Sequence, residues 1–330
     1  MIHNESDSSV TAEKIFLRQA IGLPADFPPL PKGISKGIMQ HMKTQTGKKK
    51  MIGFLIAAAV LLLFLIPGLY AGLTVRRYTV ESDHLQHPVR IAQVSDLHSC
   101  RYGKEQEKLI AAIDREAPDI IVLTGDIFDD KREDTEAEYL LKGIADRYPC
   151  FYVTGNHEYW ASEEAFLRKM ALLEKYGVKR LAGSVENLEI RGEKLQIFGV
   201  DDPDKVLDFH FRRGQSSYSG RVPEELDALE DALDPTAFSL LLSHRPELFP
   251  LYTRHRFDLV LSGHAHGGQW RLPWTKNGLY APHQGLFPKY SGGEYKENGA
   301  TMIVSRGLAR ESTLVPRFYN PPELVIIDIQ

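Results

Sequence analysis

The stretch that decides the fold spans residues 89–126 and reads VRIAQVSDLHSCRYGKEQEKLIAAIDREAPDIIVLTGD. It begins with the apolar run Val89–Val94, and residues 119–123 form a second run rich in Ile and Val, which is typical of buried strands. Between them, residues 105–115 place apolar side chains at helical spacing. The order strand, helix, strand predicts a parallel β-α-β unit.

The same alternation continues along the chain. Helices are predicted at residues 136–147 and 162–176, and the next strand at residues 151–153. Further apolar strands are predicted at residues 195–200, 239–243, 258–261, 301–305 and 323–327. Helices are sparser in this second half, which indicates a second sheet in an α/β protein.

Polar residues follow five of these strands at the point where each strand ends. They are Asp96 and His98; Asp126 and Asp129; Asn156 and His157; His244; and His264 with His266. Because ligand sites in open α/β sheets lie at the carboxyl ends of strands, we expect these side chains to meet at one edge.

The histidine pair is the most distinctive of these groups. In extended backbone, His264 and His266 point to the same side, and the flanking glycines allow a tight turn. Each group alone has an ordinary explanation, since Asp caps helices, Gly-Asn forms turns and a single His often packs. Five such groups, all at strand ends, predict a metal site.

Oxygen and nitrogen donors without cysteine suit manganese, and also iron or zinc. The number of candidate ligands exceeds what one catalytic ion with an open position uses, which favours two divalent ions. A carboxylate can bridge two ions and leave a hydroxide between them. Such a pair stabilises the attacking and leaving oxygens of an in-line displacement at phosphorus.

The five motifs together resemble those of the calcineurin-like metallophosphoesterase superfamily, and the resemblance covers residues 88–330. They are Asp96-Leu97-His98, Gly125-Asp126-Ile127-Phe128-Asp129, Gly155-Asn156-His157-Glu158, His244 and Gly263-His264-Ala265-His266. Residues 199–203, 267–273, 305–308 and 320–323 resemble more narrowly its membrane-anchored bacterial branch, which is related to UDP-diacylglucosamine hydrolases. Ala309 departs from this pattern, where glycine is expected.

The resemblance implies a four-layer α/β/β/α sandwich of two mixed sheets flanked by helices. It also implies a role for each motif residue. One ion would be held by Asp96, His98, Asp126 and His266, and the other by Asp126, Asn156, His244 and His264. His157 would act on the phosphoryl group as acid or charge stabiliser, and Asp129 would orient His157 or a ligand.

Other residues near the motifs have two interpretations. Arg101 and Arg306 either contact substrate phosphate or form structural ion pairs. Cys100 lies beside the site, but metal-assisted hydrolysis needs no cysteine nucleophile. The Gly/Pro-rich segment after the histidine pair contains five aromatic residues. They either form an apolar lip for a lipid tail or pack inside the domain, and we favour packing. They are Trp270, Trp274, Tyr280, Phe287 and Tyr290.

The N-terminal part of the chain differs in composition. Residues 1–50 are predicted to be a flexible polar tail with a short amphipathic helix at residues 11–20, and residues 78–330 to be the enzyme domain. Residues 51–73 read MIGFLIAAAVLLLFLIPGLYAGL without a charge, which predicts a transmembrane helix rather than a cleaved signal. The lysines before it predict a cytoplasmic tail and an extracytoplasmic domain at the cell membrane.

Charge and cysteine content limit the kinds of partner and cross-link that the chain can have. The net charge is -4 with both signs interspersed, so we expect no nucleic acid as a bulk partner. Two cysteines, Cys100 and Cys150, exclude a disulfide scaffold, and their positions at opposite ends of the predicted sheet favour free thiols.

The sequence therefore predicts a membrane-anchored phosphoesterase. We expect it to cleave a phosphodiester or pyrophosphate bond, with a lipid-linked molecule as the candidate substrate. A broad phosphomonoesterase is the alternative within the same class. A signalling or scaffold protein that binds metal without turnover is the alternative from another class.

Overall fold

The computed structural model describes residues 32–206, 221–275, 277–310 and 315–330. The chain divides into two compact units, Met1–Ile66 and Pro67–Gln330. The helix predicted at residues 11–20 lies outside the described residues.

One long helix, α1 (Lys32–Gly68), contains the apolar run. Its part Lys43–Gly68 is long and apolar enough to cross a membrane. The helix begins within the segment predicted as a tail and ends at Gly68, before residue 73, and strand β1 begins at Thr74. The division into tail, span and domain stays a prediction.

The first sheet has six strands in the order β1-β14-β2-β3-β4-β5. Strands β2, β3, β4 and β5 run parallel, whereas β14 runs antiparallel to β2. The strands are β1 (Thr74–Val80), β2 (Val89–Val94), β3 (Ile120–Thr124), β4 (Cys150–Val153), β5 (Lys179–Arg180) and β14 (Glu323–Ile329). The predicted β-α-β unit is therefore confirmed.

The second sheet also has six strands, in the order β12-β13-β9-β8-β7-β6. They are β6 (Ser184–Ile190), β7 (Glu193–Gly199), β8 (Phe238–Leu242), β9 (Leu259–Ser262), β12 (Gly293–Glu297) and β13 (Ala300–Val304). A short hairpin, β10 (Tyr280–Ala281) with β11 (Gly285–Leu286), stands apart from both sheets. The second sheet predicted for the latter half of the chain is confirmed.

The other described helices lie in the second unit. They are α2 (Glu107–Glu116), α3 (Thr135–Ile144), α4 (Asn156–Trp160), α5 (Glu163–Lys175), α6 (Arg221–Glu230) and α7 (Phe249–Tyr252). Short 3-10 turns lie at Lys104–Gln106, Pro203–Val206, Pro246–Leu248 and His266–Gly268.

Alternation along β8 shows how the layers are built. Leu240 and Leu242 point to the core between the two sheets, whereas Leu241 packs with Leu226 of α6 and Phe249 of α7 on the outer face. Helices α2, α3 and α5 pack in the same way on the first sheet. The four-layer α/β/β/α sandwich is confirmed.

The cysteine thiols are both free, as predicted, and both are buried. Burial raises the pKa of Cys150 to about 12, so at pH 8 this thiol holds its proton and lacks the thiolate that attacks disulfide reagents. We expect neither cysteine to react with Ellman's reagent in the folded chain and both to react in guanidinium chloride. A thiol that reacts rapidly without denaturant would contradict this packing.

Candidate metal centre

The site lies where strands from both sheets end together. Residues following β2, β3 and β4 of the first sheet meet residues following β8 and β9 of the second. Gln93 joins the sheets there, because its amide Nε2 donates to the carbonyl oxygen of Ser262 at 2.9 Å. The strand ends therefore meet at one edge, as the sequence predicted.

One group of potential ligand atoms comes from Asp96, His98, Asp126 and His266, and these atoms lie within 4.8 Å of one another. His98 Nε2 is 3.5 Å from Asp126 Oδ2, and His266 Nε2 is 3.5 Å from Asp96 Oδ1. This is the set that the sequence motifs suggested for the first ion.

A second group comes from Asp126, His244 and His264. His244 Nε2 is 3.2 Å from Asp126 Oδ2 and 3.2 Å from His264 Nδ1. Asp126 therefore belongs to both groups, and its Oδ2 faces His98 on one side and His244 on the other. Asn156 is buried at the start of α4 and directly precedes His157.

Two buried polar atoms at the site fit a bound cation. His98 Nε2 and Asn156 Oδ1 have no hydrogen-bond partner among the described residues. Leaving such atoms unsatisfied costs about 1–3 kcal/mol each, which a cation on their lone pairs would offset. Oxygen and imidazole donors without thiolate suit divalent ions such as manganese, iron or zinc.

The histidine tautomers also suit metal binding. His244 Nδ1 lies 2.8 Å from the Thr124 carbonyl oxygen, to which it donates, so Nε2 is the ring nitrogen that faces Asp126. Burial acts to lower the pKa of His244, but Asp126 raises it to about 10, so a bound cation would displace the proton from Nε2. His98 Nδ1 lies 3.2 Å from Asp129 Oδ2 and donates to that carboxylate. In both rings the remaining nitrogen is the one turned toward the centre of the site.

Electrostatics keep the shared carboxylate charged. Burial alone would raise the pKa of Asp126, but the neighbouring His244 and His157 lower it well below its usual value. Burial, Arg245 and His244 lower the pKa of His264 well below its usual value. An ionised carboxylate and a neutral imidazole are the forms that bind metal.

Backbone strain is concentrated at the same residues. Five of the candidate ligands have left-handed φ angles of 47–65°, which non-glycine residues rarely adopt: Asp96, His98, Asp126, His264 and His266. The close approach also requires glycine at Gly263, where a Cβ atom would lie 2.0 Å from Ser95 Oγ. Such strain persists at functional sites because the surrounding fold holds it.

Comparison with known proteins agrees with this geometry. The calcineurin-like phosphoesterase profile matches residues 89–268, more than half of the chain. The chain belongs to the calcineurin-like phosphoesterase family.

Relatives of this phosphoesterase come from several bacteria. An uncharacterized metallophosphoesterase of Aquifex aeolicus is 31% identical over 78% of this chain and 92% of its own length. YkuE of Bacillus subtilis, another uncharacterized metallophosphoesterase, is 28% identical over 77% of this chain and 84% of its own. The UDP-2,3-diacylglucosamine pyrophosphatase LpxG of Chlamydia trachomatis is 26% identical over 73% and 83%.

In this phosphoesterase, His157 lies at the rim of the two ligand groups. Its Nδ1 donates to Asp130 Oδ1 at 2.7 Å, and its ring meets that of His98 edge-on with 4.4 Å between centroids. Burial acts to lower the pKa of His157, but Asp126 and the hydrogen bond to Asp130 raise it above its usual value. This shift extends the protonated form of the imidazole to higher pH.

The two neighbouring aspartates have separate partners. Asp129 contacts His98 at 3.2 Å and is 4.0 Å from His157, whereas Asp130 contacts His157. Sequence reasoning assigned an orienting role to Asp129 and missed Asp130. The sequence shows two adjacent carboxylates at this position, but it does not show which of them faces His157.

Glu158 is a second residue that sequence reasoning missed, although it lies within a motif. Its buried carboxylate accepts hydrogen bonds from the backbone N–H groups of Asp126, Phe128 and Gly155 at 2.7–3.1 Å. These bonds hold the loop after β3 against the loop after β4. The sequence signal that could have identified Glu158 is its position in the first turn of a helix, where a carboxylate can accept from free backbone N–H groups.

One buried arginine, Arg245, and its partners adjoin the second ligand group. The guanidinium of Arg245 pairs with Asp202, with Nη2 at 2.8 Å from Oδ1, and its Nη1 lies 2.7 Å from His283 Nδ1. His264 Nε2 is 3.0 Å from the same His283 nitrogen. Because guanidinium only donates, Arg245 Nη1 donates to His283 Nδ1, and the same Nη1 lies 3.2 Å from His264 Nε2. Asp202 follows β7, so its strand-end position was the available signal.

The two arginines considered as phosphate contacts have carboxylate neighbours. Arg101 is exposed, and its Nε lies 3.8 Å from Glu136. Arg306 is nearly buried, with Nε 3.6 Å from Glu323. These geometries match the structural ion pairs that the sequence left open, and contact with substrate stays a prediction.

Proposed function

We propose that this phosphoesterase is a membrane-anchored, two-metal hydrolase of a phosphodiester or pyrophosphate bond. The observation that carries the proposal is the position of Asp126 Oδ2, at 3.5 Å from His98 Nε2 and 3.2 Å from His244 Nε2. A carboxylate oxygen between two sets of imidazole donors is suited to bridge two cations.

The proposed ligands follow the two groups. Asp96, His98, Asp126 and His266 would hold one divalent ion, and Asp126, Asn156, His244 and His264 the other. Manganese is our first candidate, with iron or zinc as the others. When bound, such ions neutralise charge on the phosphoryl oxygens and lower the pKa of an attacking water.

The protein's own proton chemistry is assigned to His157. Its Nδ1 is engaged by Asp130, so Nε2 is the ring nitrogen left to protonate the departing oxygen. The hydrogen bond fixes the ring orientation, and the raised pKa favours the protonated ring. Asp129 acts on His98 instead, and Asp130 is the residue that positions His157.

The substrate class follows from the anchor and from a relative. LpxG is named for a diacylated nucleotide sugar, and helix α1 is long enough to hold this chain in a membrane. A lipid-linked phosphate ester, reached by an extracytoplasmic domain at the cell membrane, is therefore the proposed substrate. Arg101 and Arg306 remain candidates for contacting its phosphate.

The test uses the full chain in detergent, loaded with manganese. It is assayed against bis-p-nitrophenyl phosphate, p-nitrophenyl phosphate and a UDP-linked diacylated sugar. Hydrolysis of the first and third substrates supports the proposal. Preferential hydrolysis of p-nitrophenyl phosphate would indicate a phosphomonoesterase, and no turnover of any substrate would indicate a non-catalytic metal-binding scaffold.

A matched pair of variants separates the roles of the two aspartates. Asp130→Asn is expected to lower kcat by ~10–100-fold with metal content unchanged, because it loosens His157. Asp129→Asn is expected to raise the manganese concentration needed for half-maximal activity by ~10–100-fold, because it loosens His98. The measurements are steady-state kinetics and metal titration, and identical behaviour of the two variants would contradict the assignment.

A further inference from the structure

Exposed apolar side chains are concentrated beside the site. Among the described residues after Tyr70, the exposed large apolar residues lie within residues 270–287, apart from Leu167 and Val315. Trp274 and Phe287 are 74% and 77% exposed. We define the apolar lip as Trp270, Leu272, Trp274, Tyr280, Leu286 and Phe287. The packing expected for this segment holds for Tyr290, which is buried, but is wrong for the four other aromatic residues.

Backbone hydrogen bonds and strand pairing join three parts of the lip segment. The backbone N–H of Leu279 donates to the Trp270 carbonyl at 2.8 Å, and that of Phe287 donates to the Leu279 carbonyl at 2.8 Å. Tyr280 pairs with Leu286 across the β10–β11 hairpin. The backbone therefore brings residues 270, 279–280 and 286–287 together.

The lip also borders the metal centre. The turn of the same hairpin carries His283, whose Nδ1 lies 3.0 Å from His264 Nε2. The segment itself begins directly after the His266–Gly268 turn. Whatever the lip contacts is therefore held close to the mouth of the site.

The chain leaving helix α1 lies next to the lip. The backbone N–H of Tyr319 donates to the Gly68 carbonyl at 2.6 Å. The neighbouring Phe318 ring is 5.8 Å from the Trp270 ring, between centroids. Leu69 and Tyr70 are exposed at this junction as well. Within the second unit, the chain at residues 68–70 and the lip thus form one apolar border.

We propose that the apolar lip docks into the lipid bilayer that holds helix α1. Tryptophan and tyrosine beside aliphatic side chains are the composition of protein surfaces at membrane interfaces. An exposed apolar surface of this kind marks an interaction site, and its continuity with the helix end favours a bilayer over a protein partner. This inference rests on the membrane anchor of the proposed function, and it places the metal centre at the level of the lipid headgroups.

The test measures the polarity around the lip side chains in the full chain reconstituted in phosphatidylcholine vesicles. Single cysteines are introduced as Trp274→Cys and Phe287→Cys and labelled with an environment-sensitive nitrobenzoxadiazole dye. Leu167→Cys, exposed on helix α5, is the matched control, and unaltered chain reports any labelling of the buried native thiols. We expect blue-shifted emission and quenching by brominated lipids at both lip positions, with neither effect at residue 167.

The other outcomes are distinguishable. Flotation with the vesicles without quenching at the lip would overturn the docking surface and leave the anchor intact. Failure to float would overturn both, whereas the phosphoesterase activity is assayed separately in detergent. Absent quenching, combined with slower hydrolysis of only diacylated substrates by Phe287→Ser in detergent, would assign the lip to a substrate tail and overturn bilayer docking.

Discussion

Asp126→Asn is expected to lower kcat/KM for bis-p-nitrophenyl phosphate by ~10³-fold or more. The substitution preserves shape but removes the charged oxygen that lies between His98 and His244. Metal ions contribute several kcal/mol of charge stabilisation, and about 1.4 kcal/mol corresponds to a factor of ten, which gives this magnitude. The measurement is steady-state hydrolysis at saturating manganese.

A control distinguishes this loss from a general charge effect. Asp227 has a side chain 77% exposed, and Asp227→Asn should retain the activity of the unaltered chain. Circular dichroism should show both variants folded. If Asp126→Asn hydrolysed the diester at the rate of the Asp227 variant, the bridging role would be excluded.

His157→Asn is expected to lower kcat by about 10²–10⁴-fold, the range typical of general acid–base catalysis. The loss should be larger for a substrate with an alkoxide leaving group than for one releasing p-nitrophenolate, because only the alkoxide needs a proton as it departs. Metal content should be unchanged, since His157 lies at the rim of both ligand groups. Kinetics with both substrates test the expectation.

His84→Asn is the matched control for this second variant. His84 is a partly exposed histidine paired with Asp258 at 3.6 Å, away from the strand-end edge. It should retain full activity on both substrates. An equal loss on both leaving groups in His157→Asn would contradict the role of acid and would favour a purely electrostatic one.

Local sequence patterns predicted the central strands because those segments are buried on both faces. Strand β2 occupies the predicted residues, and β3, β8 and β9 are displaced by one residue. Their polar termini could be placed together because parallel strands bring carboxyl ends to one edge.

Elements stabilised by distant contacts could not be predicted in the same way. Strand β1 pairs with β14 at the far end of the sequence, and its Arg76 and Arg77 follow the apolar run of residues 51–73 closely in the chain. In the structure they pair with Glu323 and Glu116. Half-exposed strands with charged residues lack the continuous apolar run that marks a central strand.

The residues that contact the metal motifs could not be predicted either, because their positions also depend on tertiary structure. His283 lies outside every motif, and only the β10–β11 hairpin brings it to His264. The choice of Asp130 over Asp129 as partner of His157 depends on a loop that has no periodicity to reveal it. Exposure of the apolar lip is likewise a tertiary property, since exposed and buried aromatic residues look the same in sequence.

Manganese content and electron paramagnetic resonance of the full chain test the shared carboxylate most directly. The two-ion arrangement predicts two manganese ions per chain with an exchange-coupled spectrum, and loss of that coupling in Asp126→Asn. One ion per chain, or coupling that survives in Asp126→Asn, would contradict it.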